Sequence, residues 1–465
     1  MKRISQILFL LFITVFTACE KDDYNTDSKA NIVIAGGADT ILFDTVFSSL
    51  GSVTHGYTIV NPNNEKIAID TIELYGKENS PFSINVNGRA GNSFRDLSVL
   101  KNDSIYLFIK VQINPNSEQL PFLVKDSIKV IYNNQIKKLY LTAYGKNAHF
   151  VNGGNITKDT TWNKQLPIVL LKPVYVNPGA HLTITEGVQV YNNANAALVV
   201  NGRLTSNGTV QEPVVFTNDR MDAPYNTMPG SWGGIVLNTG SRASFEQTNI
   251  FNAYQALVAM NGVNLSFNNS TIHNAYDLGL MAINATITSN NAKITQCGNN
   301  GALGIGGSNV ILIAGNYTFN HSTIVTYSNA YQNLRQPVFY ASNFVDNQSA
   351  PLNLTINNSI VYGEGGLADN SIVIQKGNDV LTANFNNVMY SAKKAVENVS
   401  FNSGSFITTT PLFDSISTNR RYYNFQLREN SPAVDKANIS SINRDITGTP
   451  RPKGIASDIG CYESF

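Results

Sequence analysis

Charge is scarce in this chain. Asp, Glu, Lys and Arg make up 14% of its 465 residues, against roughly a quarter in ordinary globular proteins, and that scarcity excludes coiled coils and charge-rich helical bundles. The formal balance is +1, so there is no cationic field to hold nucleic acid, and no nucleic-acid partner is expected. Histidine and cysteine are rare as well, with five and three copies. The histidines are scattered at 55, 149, 181, 273 and 321, and neither a Cys-x-x-Cys nor a His-Glu-x-x-His spacing occurs. No metal site and no cofactor are expected. Beyond the N-terminus no apolar run approaches the roughly 20 residues that a membrane-spanning helix needs. Asparagine, by contrast, is abundant at about 60 copies, beside 34 glycines. A chain of 50.7 kDa is too long for one hydrophobic core, so two or more structural units are expected.

Residues 1–18 carry Lys2 and Arg3, an apolar stretch from Ile7 to Ile13, and Phe16-Thr17-Ala18 immediately before Cys19. This is the pattern of a secretory signal peptide. Small residues directly before a cysteine resemble a bacterial lipobox, which implies diacylation of the Cys19 thiol, acylation of its amine and membrane attachment through lipid alone. Several acyl chains, at about 0.8 kcal/mol per buried methylene, make such an anchor permanent. Residues 19–32 read as a flexible tether. Within it Glu20-Lys21-Asp22-Asp23 resembles the acidic export signal of surface lipoproteins in some Gram-negative bacteria, which implies an outer-membrane protein displayed at the cell surface. A monomer is expected.

Residues 33–147 alternate apolar and polar positions in short stretches: 40–43, 56–60, 67–69, 104–109, 127–132 and 138–143. Asn61-Pro62, Asn114-Pro115 and Asn133-Asn134 supply turns between them. Seven or so short strands predict an antiparallel β-sandwich. The order Gly56-Tyr57-Thr58-Ile59-Val60-Asn61-Pro62, Ser80-Pro81-Phe82, Val111-Gln112-Ile113-Asn114-Pro115 resembles immunoglobulin-like modules of bacterial surface lipoproteins, which implies a spacer. Five Asp-Ser/Thr-aliphatic triplets begin at Asp39, Asp44, Asp70, Asp103 and Asp126. They resemble an O-glycosylation acceptor sequence. An Asp closing a turn before a β-branched strand residue would give the same triplets.

Residues 148–415 are repetitive. Residues 243–257, 265–279 and 287–301 superpose without a gap at a period of 22. Ala243, Leu265 and Ile287 then coincide, as do Ile250, Ile272 and Ile294, and Ala253, Ala275 and Cys297. Further copies at 319–324, 354–360 and 385–389 are spaced more widely, as loops between coils would make them. This period, with alternation inside each unit and Asn or Gly between strands, predicts a parallel β-solenoid of roughly ten coils, each about 4.8 Å from the next. Matching asparagines, Asn252 over Asn274 and Asn268-Asn269 over Asn290-Asn291, suit left-handed turn positions and amide ladders. Together with Val176-Asn177-Pro178-Gly179, Leu198-Val199-Val200-Asn201-Gly202 and Gly230-Ser231-Trp232-Gly233-Gly234, the segment resembles the right-handed parallel β-helix family of pectate-lyase-like fold. Residues 416–465, with Asn430-Ser431-Pro432-Ala433 and Ser457-Asp458-Ile459-Gly460, resemble that family's closing segment. The expected fold is all-β, a sandwich followed by a right-handed parallel β-helix.

Candidate sites are few. Cys297, in an alanine column, reads as a small buried thiol, with a Cys297–Cys461 disulfide less favoured. The hydrolase motifs of sugar-cleaving β-helices are missing. The one lyase-like cluster, Asp219-Arg220-Met221-Asp222, reads as a solvated loop on an insertion. The Gly-rich Ala302-Leu303-Gly304-Ile305-Gly306-Gly307 lacks a following Gly-Lys-Ser/Thr, so nucleotide binding has no support. Tyr254 and Tyr276, 22 residues apart, are expected to stack, either outward as a platform for a sugar face or at a corner of the solenoid. Trp232 is either exposed at a loop base or pins the insertion to its coil. The expected function is a non-catalytic, surface-displayed module binding glycans or other extracellular polymers through Tyr254, Tyr276 and Trp232. The alternatives are a polysaccharide lyase or hydrolase with an unrecognised site, and a purely structural or adhesive protein.

Overall fold

The computed structural model describes residues 23–48, 50–52, 54–115, 122–298, 307–345, 348–402 and 404–464. Cys19, the leader and Ala302 to Gly306 lie outside the described residues. The chain divides into two compact units at Asn147/Ala148.

The first unit is a sandwich of two five-stranded sheets. Its strands are β1 (Val33–Ile34), β2 (Thr40–Phe47), β3 (His55–Val60), β4 (Ile67–Leu74), β5 (Phe82–Val86), β6 (Arg89–Gly91), β7 (Ser93–Val99), β8 (Ser104–Val111), β9 (Phe122–Tyr132) and β10 (Gln135–Lys146). One sheet runs β1-β3-β8-β5-β6 and the other β2-β10-β9-β4-β7. Strict alternation along β8 buries Ile105, Leu107, Ile109 and Val111, and they meet Ile69, Ile72, Val130 and Leu141 in one core. The expected turns are present. Asn133 and Asn134 both take left-handed backbone, which a two-residue hairpin between β9 and β10 requires. Buried Asn61 donates through Nδ2 to the carbonyls of Glu65, Val99 and Leu100.

Two expectations need correction. The strands are not all antiparallel, because β2 and β10 pair parallel. These strands are not joined by a turn, so nothing local fixes their relative direction. Nor do all five Asp triplets close turns. Asp44 and Asp70 are the unpaired extra residues where β2 slips against β10 and β4 against β9, which makes them bulge residues. Asp126 lies inside β9, where its carboxylate accepts from Ser80 and from the N–H of Gly76 and Ser127.

The second unit is a right-handed parallel β-helix in which, from His149–Val151 to Gln255–Ala259, each strand pairs with the third strand onward, and in which long strands such as Leu278–Asn290 and Val310–Asn320 then run through two faces. Three faces result. The first contains Ile168–Leu170, Gln189–Asn192, Val214–Asn218, Thr248–Phe251, Thr271–His273, Lys293–Thr295 and Thr323–Tyr327. Along it one inward column continues through Ile168, Val190, Phe216, Ile250, Ile272, Ile294, Ile324, Val361 and Tyr390, all buried. The 22-residue register therefore holds as read. The second face contains Val174–Val176, Leu198–Val200, Ile235–Leu237 and Gln255–Ala259. The third contains Thr160–Trp162, His181–Ile184, Arg203–Asn207, Arg242–Glu246 and Asn264–Asn268.

Asparagine marks the corner between third and first faces. Asn269, Asn291, Asn358 and Asn387 have φ between 47° and 52° there. Asparagines that end the third-face strands just before this corner form an external amide ladder: Nδ2 of Asn290, Asn320, Asn357, Asn386 and Asn402 donates to Oδ1 of the residue one coil earlier, beginning at Asn268, over 2.5–3.1 Å. Stacked amides satisfy each other along the rod, as in other cross-β ladders.

The C-terminal segment lies along the side of the solenoid. After a hairpin of Phe413–Ser417 with Tyr422–Leu427, the chain runs back along the asparagine corner. Its carbonyls at Lys436, Asn438 and Arg444 accept from Asn387, Asn358 and Asn291, and the Ile446 carbonyl accepts from Gln247. Phe413, Phe425, Leu427, Ala433 and Ile459 pack on Val325, Tyr327, Tyr362 and Met389, outside the first face.

Candidate functional site

With the first face partly covered, the third face is the polar one left open. Its middle outward column carries a hydroxyl on eight consecutive coils: Thr161, Thr183, Thr205, Ser244, Ser266, Thr288, Thr318 and Thr355. On one side runs the amide ladder that begins at Asn268. On the other the column reads His181, Arg203, Arg242, Asn264, Thr286, Asn316 and Asn353. Inward neighbours such as Leu204, Leu265 and Ile287 are buried, so alternation alone turns these polar side chains outward.

A shallow groove of about 470 Å³ crosses this face, lined by Arg203, Thr205, Arg242, Ser244, Asn264, Ser266, Thr286 and Thr288. The lining supplies hydroxyls, an amide and two guanidiniums, and no carboxylate. His181 Nε2 and Thr205 Oγ1 lie 2.9 Å apart at its upper end. Glu246 stands on the far side of the face, where Asn269 Nδ2 donates to it over 2.6 Å. Burial pushes its carboxyl up, against the effect of that hydrogen bond.

Tyr254 and Tyr276 are brought together as the spacing predicts. Their rings stack at 5.6 Å and 23°, each 37% exposed, at the corner between the first and second faces. Partial burial, then the Asp277 carboxylate and the second ring, push the Tyr254 hydroxyl up. They form a two-ring surface away from the third-face groove.

Trp232 is not part of any surface. It is buried, stacks on Phe216 at 6.4 Å and 15°, and donates through Nε1 to the Phe251 carbonyl over 2.7 Å. It pins the insertion, and at 1% exposure it is closed to the ligand contact expected of it. The adjoining Gly234 has φ of 108°, and a Cβ there would sit 1.7 Å from the Gln255 carbonyl oxygen. That close approach draws the insertion's base against the next coil.

The Asp219-Arg220-Met221-Asp222 cluster satisfies itself. Arg220 forks onto Asp222 with two 2.6 Å hydrogen bonds and lies 3.8 Å over the Tyr225 ring. Asp219 accepts from Asn193, and burial pushes its carboxyl up. Cys297 and Cys461 are free and buried. Among the described residues no three His, Cys, Asp or Glu side chains converge as a metal site would need.

Arg203, Arg242 and the hydroxyl column were not singled out from sequence. The signal was available one residue to either side of the inward positions: Arg242-Ala243-Ser244, Asn264-Leu265-Ser266 and Thr286-Ile287-Thr288 align at the same period of 22.

Residues 154–299 match the family of the pectate-lyase like beta helix domain. This β-helix domain contains the whole groove. Among solved structures, pectate lyase Pel9A is similar over 62% of this chain and 89% of its own, at 14% identity and a TM-score of 0.28. A family 123 glycoside hydrolase from Clostridium perfringens is similar over 25% of this chain at 12% identity and a TM-score of 0.17. The match spans about a quarter, 26%, of the hydrolase's length. The periplasmic chaperone SfaE is similar over 29% of this chain and 67% of its own, at 9% identity and a TM-score of 0.17. A comparison with curated proteins finds no match.

Proposed function

We propose that this protein is an outer-membrane lipoprotein, lipid-anchored at Cys19 and displayed at the cell surface, whose β-helix binds glycans without cleaving them. The observation that carries the binding reading is the third-face groove, where hydroxyl, amide and guanidinium groups from successive coils stand in register and open to solvent. A sugar chain presents the complementary array of hydroxyls, and hydrogen bonds from regular strands position it without loop ordering. Cleavage of a glycosidic bond calls for paired carboxylates or a base poised beside one, and the groove lining supports neither. The stacked Tyr254 and Tyr276 offer a second contact, an aromatic surface for one sugar ring. The match to a pectate-lyase like β-helix domain is consistent with a polysaccharide ligand.

The sandwich, with its two five-stranded sheets, fits an immunoglobulin-like spacer between lipid and binding unit. A glycan array with the purified chain is expected to retain at least one polysaccharide, and incubation with uronic-acid polymers to give no unsaturated product. Retention of none, or appearance of product absorbance, contradicts the reading. Tyr254→Ala/Tyr276→Ala should weaken retention, and equal retention removes the tyrosines from it. Cys19→Ala should release the protein from the membrane fraction, and unchanged partitioning contradicts the anchor.

A further inference from the structure

We propose that Arg203 and Arg242 form a clamp for oxyanion substituents, carboxylate or sulfate, carried by a polysaccharide chain lying in the third-face groove. The inference rests on the glycan-binding reading and names the chemical class of the ligand.

The two arginines are direct partners in a parallel pair of strands, one rung or about 4.8 Å apart. Both side chains point outward and are exposed. Neither guanidinium makes a hydrogen bond or ion pair among the described residues. Some other cations of the same unit do have acidic partners: Lys164 pairs with Glu212, Arg220 with Asp222, Lys394 with Asp369 and Arg451 with Glu463. Like charges directly opposite each other destabilise a sheet. A local conflict of this kind, left uncompensated by the fold, marks a place where function sets the residue choice.

The surroundings reinforce the charge. Two acids flank the pair on this face and both are engaged: Glu246, four residues along the Arg242 strand and about 13 Å away at 3.3 Å per residue, accepts from Asn269, and Asp159, in register with His181 at the start of the column, accepts from the His181 N–H. Beyond Arg242 the column turns neutral with Asn264, Thr286 and Asn316. The positive charge is thus confined to two consecutive rungs of a groove already lined by hydroxyls. Each guanidinium presents a planar fork that matches carboxylate or sulfate oxygens in pairs. Thr205 and Ser244, on the same two strands, are placed to meet the hydroxyls of the sugar that carries the anion.

The test uses the full chain and titrates a sulfated glycan, a uronate polymer and a neutral glucan against wild type, Arg203→Gln/Arg242→Gln and Arg203→Lys/Arg242→Lys. Wild type is expected to prefer a charged polymer, with affinity falling as salt rises. Preference for the sulfated chain assigns sulfate as the anion, and preference for the uronate assigns carboxylate. The Gln variant should lose about tenfold or more per arginine, the fold-change of a lost charge-assisted hydrogen bond, while the Lys variant keeps charge but loses the fork and falls between. The thermal midpoint of the ligand-free Gln variant should equal or exceed that of wild type, since a repulsive pair is gone. Equal wild-type affinity for neutral and charged polymers, or full retention by the Gln variant, overturns the clamp and leaves glycan binding standing. Failure of folded wild type to bind any of the three overturns both.

Discussion

The strap that returns along the asparagine corner is held at its end by one buried ion pair, and removing half of that pair gives a large, local effect. Arg451 Nη1 lies 2.8 Å from Glu463 Oε2 and 3.1 Å from the Asp458 carbonyl. Its Nη2 donates to the Gly460 carbonyl at 2.9 Å and to Asn291 Oδ1 on the solenoid at 3.4 Å. Both side chains are 1% exposed. Burial draws the Arg451 guanidinium down and pushes the Glu463 carboxyl up, and the charge of each partner acts against the shift of the other. Glu463→Gln keeps the shape and leaves a buried cation without its anion, a change that costs about 3–5 kcal/mol in such pairs. The solenoid keeps its own inward column, so the loss falls on the strap. Amide exchange across residues 436–464 should accelerate by roughly two to four orders of magnitude, while exchange at Ile250, Ile272 and Ile294 stays put. Arg451→Met/Glu463→Leu, which replaces the pair with apolar groups of similar volume, should recover most of the protection. Strap exchange unchanged in Glu463→Gln would refute the reasoning, as would uniform acceleration through the solenoid.

Three further outcomes are expected. Ile272→Ala opens a cavity between Ile250 and Ile294 and should lower unfolding free energy by about 2–5 kcal/mol in denaturant titrations; a loss well under 1 kcal/mol would contradict the stacked column. Burial, then the Arg451 charge, draws His321 down to about 3. Because its folded value lies below the unfolded one, its contribution is complete above about pH 6.5 and is lost as pH falls toward 3, at up to about 1.4 kcal/mol per pH unit. His321→Gln should flatten the acid limb of a stability-versus-pH curve, and an unchanged limb removes His321 as its source. Burial pushes the Cys297 thiol up to about 12 and the Cys461 thiol up to about 11, so neither should react with a maleimide in the native protein at pH 8, and both should react in denaturant. Labelling of native Cys297 would show that its column is open.

The inward half of the β-helix was legible because its constraint repeats. Ile250, Ile272 and Ile294 must each fill the same interior slot, and three coils without insertions leave the period of 22 visible. Asparagine at the corners was legible for the same reason, since few residues tolerate left-handed backbone on every coil. The outward half was harder to read. Solvent accepts Arg, Asn, Thr or Ser alike, so Arg203 over Arg242 carries no compositional mark, and only the completed register sets them side by side. Trp232 resisted because its burial depends on Phe216 and Phe251, on other coils, and on the close approach at Gly234. The parallel β2–β10 pairing and the covering of the first face by Phe413, Phe425 and Ile459 are both contacts between segments far apart in sequence, which local pattern does not encode.

The most direct test of the central claim, that the open third face of the β-helix is where glycans bind, is to obstruct it. Ser244→Trp/Ser266→Trp places two large rings across the groove on solvent-facing strand positions where aromatic residues are well tolerated. In affinity electrophoresis against the polysaccharides retained by wild type, the variant should migrate as though no ligand were present, with its thermal midpoint unchanged. Retardation equal to wild type would place the binding surface elsewhere and contradict the account.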